Sequence, residues 1–126
     1  MITEDYLMRQ IEIIARALAK LLFGKDSTEY VTIDDQRLKE TDVIHNKLCE
    51  LIDDRNINGA ENLLFEYIGK ELEENPGGRD YLEVAIDFYS RLNDLDTKIL
   101  EDCGFEREEI AEGMREVSEI YGINVI

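Results

Sequence analysis

Leu7, Ile11, Ile14, Leu18 and Leu21 recur at alternating spacings of four and three. A heptad seam of this kind aligns its apolar side chains only if the segment is a helix. The pattern predicts helix one over Glu4–Phe23, with Thr3 as cap, Glu4 and Asp5 at the positive end of the dipole, and Gly24 as the stop. Tyr6, Met8, Ile13, Ala15, Ala17, Leu22 and Phe23 lie beside or outside the seam, which is more apolar side chain than one partner surface covers. The rest of the chain is equally open to helices. One proline and eight glycines in 126 residues leave long uninterrupted runs, favouring an all-α fold over a many-stranded one. A chain of this length is one domain in size and buries roughly two-thirds of its unfolded surface.

Five or six helices joined by short connections follow from the spacing, arranged as antiparallel hairpins. Residues 25–40 are mixed and polar and are expected to be the least regular part, with Tyr30-Val31-Thr32-Ile33 as a short extended piece or lead-in turn. Helix two spans residues 41–53 with Ile44, Leu48, Leu51 and Ile52 on one stripe. Asn58 and Glu61 have capping-box spacing and would open helix three, which carries Ala60, Leu63, Leu64, Tyr67, Ile68 and Leu72. It ends before Asn75-Pro76-Gly77-Gly78, the strongest breaker in the sequence. Asp80 and Glu83 repeat the box spacing at the start of helix four, whose apolar residues cover more than half its circumference, as in a central helix. A shorter helix ends near Asp102 and Gly104, and Phe105 with Ile110 forms a hydrophobic staple for the last helix. Ile110, Met114, Val117 and Tyr121 make that helix's stripe, Gly122 ends it, and the apolar tail 123–126 is expected to pack back.

Charge narrows the functional classes. Thirty acidic residues against fourteen basic ones give a net charge of −16, and residues 26–126 alone carry −17. A polyphosphate backbone binds basic patches, so nucleic acid is excluded as a partner. The near-apolar run 11–23 is interrupted by Glu12, Arg16 and Lys20 and falls short of the roughly twenty residues a membrane span needs. Cys49 and Cys103 are too few and too far apart for a disulfide framework or a zinc site. With an acidic N-terminus unlike a signal peptide, the chain reads as cytoplasmic.

Two resemblances accompany this reading. Asp5-Tyr6-Leu7-Met8-Arg9, the segment Ala17-Leu18-Ala19-Lys20-Leu21-Leu22-Phe23-Gly24-Lys25, and residues 105–122 with their Glu-rich start and Tyr-Gly end resemble a family of short, uncharacterised all-helical proteins of Gram-positive bacteria. The likeness covers about a third of the chain and implies a cytoplasmic helical protein with no catalytic residues to transfer. Ile44, Leu48 and Leu51 also match Tyr81, Ala85 and Phe88 at a displacement of 37 residues. This resembles the packing of tetratricopeptide repeats, whose period is about 34. Ala60 and Leu64 fit a second repeat helix, whereas Leu48, Thr97 and Glu101 depart from the motif.

Chemistry is sparse. His45 and Cys49, four residues apart on helix two, could share a face, but two ligands are not a metal site, and His45 reads as an ordinary half-exposed histidine. Asp94 and Asp96 open like a calcium loop, but Lys98 and Ile99 stand where the loop needs an oxygen ligand and a glycine. Asp34-Asp35, Asp53-Asp54 and Glu73-Glu74 read as solvated faces or caps. No phosphate loop, nucleophile elbow or Cys/His dyad with a third orienting group is legible. Neither a cofactor nor a catalytic residue is expected.

What remains is interaction. Leu7, Ile11, Ile14, Leu18, Leu21 and Leu22 are the candidate contact residues, and pairing two such helices in a homodimer is the simplest cover for them. Closure of the monomer's own core is the competing use. Tyr67, Tyr81 and Tyr89 on adjacent helices are candidates for a peptide groove, against core packing with hydroxyls at the rim. The expected function is a non-enzymatic interaction module. Membrane-surface docking through helix one, with Arg9, Arg16 and Lys20 on its polar face, and an unrecognised small helical enzyme are the alternatives.

Overall fold

A computed structural model describes residues 4–32 and 39–123 and places six helices among them: α1 (Glu4–Phe23), α2 (Glu40–Asp53), α3 (Ile57–Glu74), α4 (Asp80–Asn93), α5 (Thr97–Asp102) and α6 (Arg107–Ile120). The fold is all-α, as the spacing predicts. Thr3, Ile33, the Asp34-Asp35 pair and residues 124–126 of the tail lie outside the described residues.

α4 is the centre. It packs against α1, α2, α3 and α6, and ten of its fourteen residues are buried, so it keeps no free face. α2 and α3 pair as a hairpin, and α4 pairs with α6 across the short α5. α1 lies over α4 and α6. The buried Arg107 joins their ends, donating to Glu4 of α1 (2.9 Å), to the Asn93 carbonyl at the end of α4 (2.6 Å) and to the Leu95 carbonyl (3.0 Å). Residues 24–32 cross the top without regular structure and are tied down by Lys25, whose ammonium donates to Glu83 (2.8 Å), and by Tyr30.

Several helix ends follow local rules. Gly24 takes a positive φ of 64° and its N–H donates to the Lys20 carbonyl, ending α1 at the expected place. Phe105 and Ile110 flank the start of α6 and are both buried, completing the staple, while Glu109 accepts from the Glu106 N–H (2.7 Å).

Two expected caps are overturned. Asn56, not Asn58, caps α3, its side chain accepting from the Gly59 N–H at 3.1 Å. Arg55 adopts φ 65°, and the N–H groups of Arg55 and Asn56 donate back to the Ile52 and Leu51 carbonyls. That left-handed closure turns the chain two residues early, and the buried Ile57 anchors the first turn. Asp80 does not cap α4 either. The Glu71 carboxylate on α3 accepts from the Asp80 N–H (2.9 Å) and the Tyr81 N–H (3.1 Å), so the positive end of α4 is capped across space.

Candidate functional site

α1 has two apolar faces. Ile11, Ala15, Leu18 and Ala19 are buried, and Leu7, Ile14 and Leu22 pack half-buried against the core. Five of the six candidate contact residues therefore face the monomer's interior wholly or in part. Leu21 does not: it is 81% exposed. The departure is geometric. A straight helix drifts by about 20° per heptad against a seven-residue repeat, so a seam that starts inside at Leu7 has rotated outward two heptads later. Inside, Ala15, Ala19 and Leu22 continue the contact.

The outward face is apolar too. Tyr6 (54% exposed), Ile13 (61%), Ala17 and Leu21 follow at spacings of seven, four and four, which places them in one row. Arg9, Arg16 and Lys20 run along one edge of that row, and all three are exposed. Arg16 pairs with Glu12 at 3.0 Å and Lys20 with Asp26 at 3.1 Å, both in solvent, where such pairs contribute little. A basic-edged apolar row stands on an otherwise acidic body.

The tyrosines do not line an open groove. Tyr81 and Tyr89 are buried, and Tyr67 is half-buried against Tyr81 at a ring separation of 5.7 Å. Their hydroxyls reach the rim instead. Tyr81 donates to Glu40 and Tyr89 to Glu61, each at 2.7 Å, and Tyr121 donates to Glu71 at 2.6 Å. Burial, and then the neighbouring carboxylate, pushes all three phenols well above their usual range, so they stay protonated donors. Gly113 makes room for one of them, because a Cβ there would overlap the Tyr89 ring.

His45 is the larger surprise. It is buried rather than half-exposed, and its Nε2 lies 2.9 Å from Asp87 Oδ2 on α4. Arg91 donates to the same oxygen (2.7 Å), the Tyr30 N–H donates to Oδ1 (2.9 Å), and the Tyr30 ring packs on the imidazole at 4.8 Å. Cys49 Sγ approaches Nε2 at 3.8 Å. A cysteine, a histidine and an orienting carboxylate thus do come together, contrary to the sequence reading. They do not form a nucleophilic triad, because cysteine and carboxylate address the same imidazole nitrogen. Burial alone would raise the Asp87 carboxyl, but hydrogen bonds from His45, Arg91 and the Tyr30 backbone outweigh it and hold the group below the ordinary carboxylate range. Burial pushes the Cys49 thiol up. Tyr30 is raised to about 12 by burial and by its hydrogen bond to Asp42. The signal missed was Asp87, an acidic residue on the buried side of a central helix.

A cleft of about 330 Å³ is lined by Glu4, Thr97, Phe105 and Arg107 among others. Its guanidinium is already committed to Glu4, Asn93 and Leu95.

A family of unknown function, DUF6483, matches over residues 1–122, and the chain belongs to that family. No curated protein and no solved structure matches it. No helix among the described residues is long and apolar enough to cross a membrane.

Proposed function

We propose that the chain is a non-enzymatic helical interaction module of the cytoplasm that pairs with a second copy of itself through the outward face of α1. The observation that carries this reading is Leu21, 81% exposed and in line with Ile13 at 61% and Ala17. Single exposed apolar residues are ordinary on any surface, whereas a row of them along one helix is the pattern of a contact. Charge supports the location. Residues 1–25 hold four basic and three acidic side chains, while the rest of the chain carries −17, so two acidic copies repel least where α1 meets α1. The two free cysteines suit a reducing compartment. The α2–α3 and α4–α6 pairs, with α4 against both α2 and α3, support a tetratricopeptide-like reading of the packing.

One helix face buries less than the roughly 800 Å² per partner of a standard interface, so the dimer is weak and exchanges rapidly. Added salt strengthens it by screening the repulsion between the bodies. Removing residues 1–24 is no test, since Ile11, Ala15 and Leu18 belong to the core. The test is sedimentation of the full chain across concentration and salt, beside the double variant Ile13→Glu with Leu21→Glu. The expected result is a concentration-dependent dimer that the variant abolishes while keeping its helical spectrum. A chain that stays monomeric at high concentration and high salt would sink the proposal. The basic edge of Arg9, Arg16 and Lys20 favours one second reading, docking on an anionic membrane surface. Co-sedimentation with anionic vesicles, lost in the same variant, would favour that reading instead.

A further inference from the structure

We propose that His45, Cys49 and Asp87 form a binding site for a divalent transition metal of the zinc class, tying α2 to α4. One ligand atom from each of the three residues lies within 4.8 Å of the other two. The imidazole nitrogen and the carboxylate oxygen are 2.9 Å apart, and the sulfur and imidazole nitrogen 3.8 Å. Tetrahedral coordination, with nitrogen and oxygen at about 2.0–2.2 Å and sulfur at about 2.3 Å from the ion, separates its ligand atoms by about 3.3–3.6 Å. Admitting an ion therefore asks the nitrogen and oxygen to part by about half an ångström and the sulfur and carboxylate oxygen, within 4.8 Å of each other, to close by about one.

The surroundings are built for holding ligands still. His45 and Cys49 sit four residues apart on one face of α2, and Asp87 lies in the middle of the central helix packed against it. Asp87 Oδ1 is oriented by the Tyr30 N–H, and the Tyr30 ring covers the imidazole. This is the outer-shell support that ligating carboxylates and histidines usually have. One nitrogen, one sulfur and one oxygen suit zinc, cobalt and their neighbours, and do not suit magnesium or calcium, which take oxygen ligands. Cys49 is only half-buried, so the cluster is reachable from solvent on that side.

Arg91 is the competing cation. Its Nε occupies Asp87 Oδ2, yet its side chain is 41% exposed and can withdraw into solvent when an ion arrives. Binding exchanges one cation for another. The Cys49 thiol gives its proton to solvent, and the neutral imidazole presents the Nε2 lone pair in place of a hydrogen.

Cobalt(II) is the probe, titrated into the full-length reduced chain and followed by the thiolate-to-cobalt charge-transfer absorption. The expected result is one ion per chain, displaced by zinc, with the absorption lost in Cys49→Ser and kept in Cys103→Ser. Cys49→Ser leaves the His45–Asp87–Arg91 contacts in place, and its unfolding temperature without metal checks that it folds. Arg91→Ala should tighten cobalt binding by roughly tenfold or more, the scale on which outer-shell groups act. A purely structural role for Arg91 predicts the opposite, a less stable protein with unchanged affinity. No thiolate absorption, or absorption that survives Cys49→Ser, overturns the site, and unchanged affinity in Arg91→Ala overturns the exchange of cations.

Discussion

α1 and α4 carry similar proportions of apolar side chain, and the fold uses them in opposite ways. α4 is enclosed by four helices, and its polar groups are met by carboxylates and donors from its neighbours: Glu71 at its N-terminus, Glu40 and Glu61 on its tyrosines, His45 on Asp87. α1 is covered on one side only, and Ile13 and Leu21 remain outside. The difference separates a helix that holds the molecule together from one that leaves an apolar row at the surface. An enclosed helix can tolerate polar groups only if every one is satisfied, and the described residues leave no buried side-chain polar atom without a partner. A half-covered helix has no such requirement and can keep an apolar row at its surface.

Substitutions on the two helices should separate accordingly. The largest effect belongs to Asp87→Ala, which strands the Tyr30 N–H, His45 and Arg91 together; thermal or denaturant unfolding should show a loss of about 3–5 kcal/mol. A loss below about 1 kcal/mol would mean that the cluster is not what binds residues 24–32 to α4. Next is the inner face of α1, where Ile11→Ala should cost about 2–5 kcal/mol. Ile13→Ala, two residues along the same helix, should stay within about 0.5 kcal/mol. Equal costs at the two positions would erase the distinction between the faces.

Acid titration gives a subtler contrast. Asp87 is depressed in the folded state by its donors, and Asp42 is depressed by the Tyr30 hydroxyl. Near their unfolded pKa of about 3.9 the folded chain therefore binds fewer protons than the unfolded one. The stabilisation they supply is complete above that pH and disappears as the pH falls through their lower folded values. Glu61, raised by burial despite the Tyr89 hydroxyl, works in the other sense: its folded form gains stability as the pH falls toward its unfolded value of about 4.3. Urea midpoints measured down through pH 4 should fall less steeply in Asp87→Asn than in the wild type, and equal slopes would contradict this account.

Gly24 stops α1, Gly104 and Gly122 take positive φ just beyond α5 and α6, and the Phe105–Ile110 staple opens the last helix, all as their spacing predicts. These features depend on residues within one or two turns of each other, so local rules reach them. The caps of α3 and α4 do not. Asn56 won over Asn58 because Arg55 accepted a left-handed conformation, and Glu71 reached α4 from another helix. The candidate sites divide in the same way. The amphipathic row of α1 was legible as periodicity, but which of its two apolar faces turned inward was not. Tyr67, Tyr81 and Tyr89 were visible as aromatic residues on adjacent helices, but the burial of Tyr81 and Tyr89 depended on α4 being enclosed by its neighbours.

The sequence by itself determined the helices, the acidic body and the apolar excess of α1, because each is a matter of composition or of spacing along one chain. The tertiary structure alone decided that His45 meets Asp87 forty-two residues away, that Cys49 joins them, and that Leu21 stays outside while Leu18 goes in. The physical reason is that a helix of 3.6 residues per turn distributes its side chains all round its axis, and only the neighbours that pack against it choose which become core, which meet across helices and which stay at the surface.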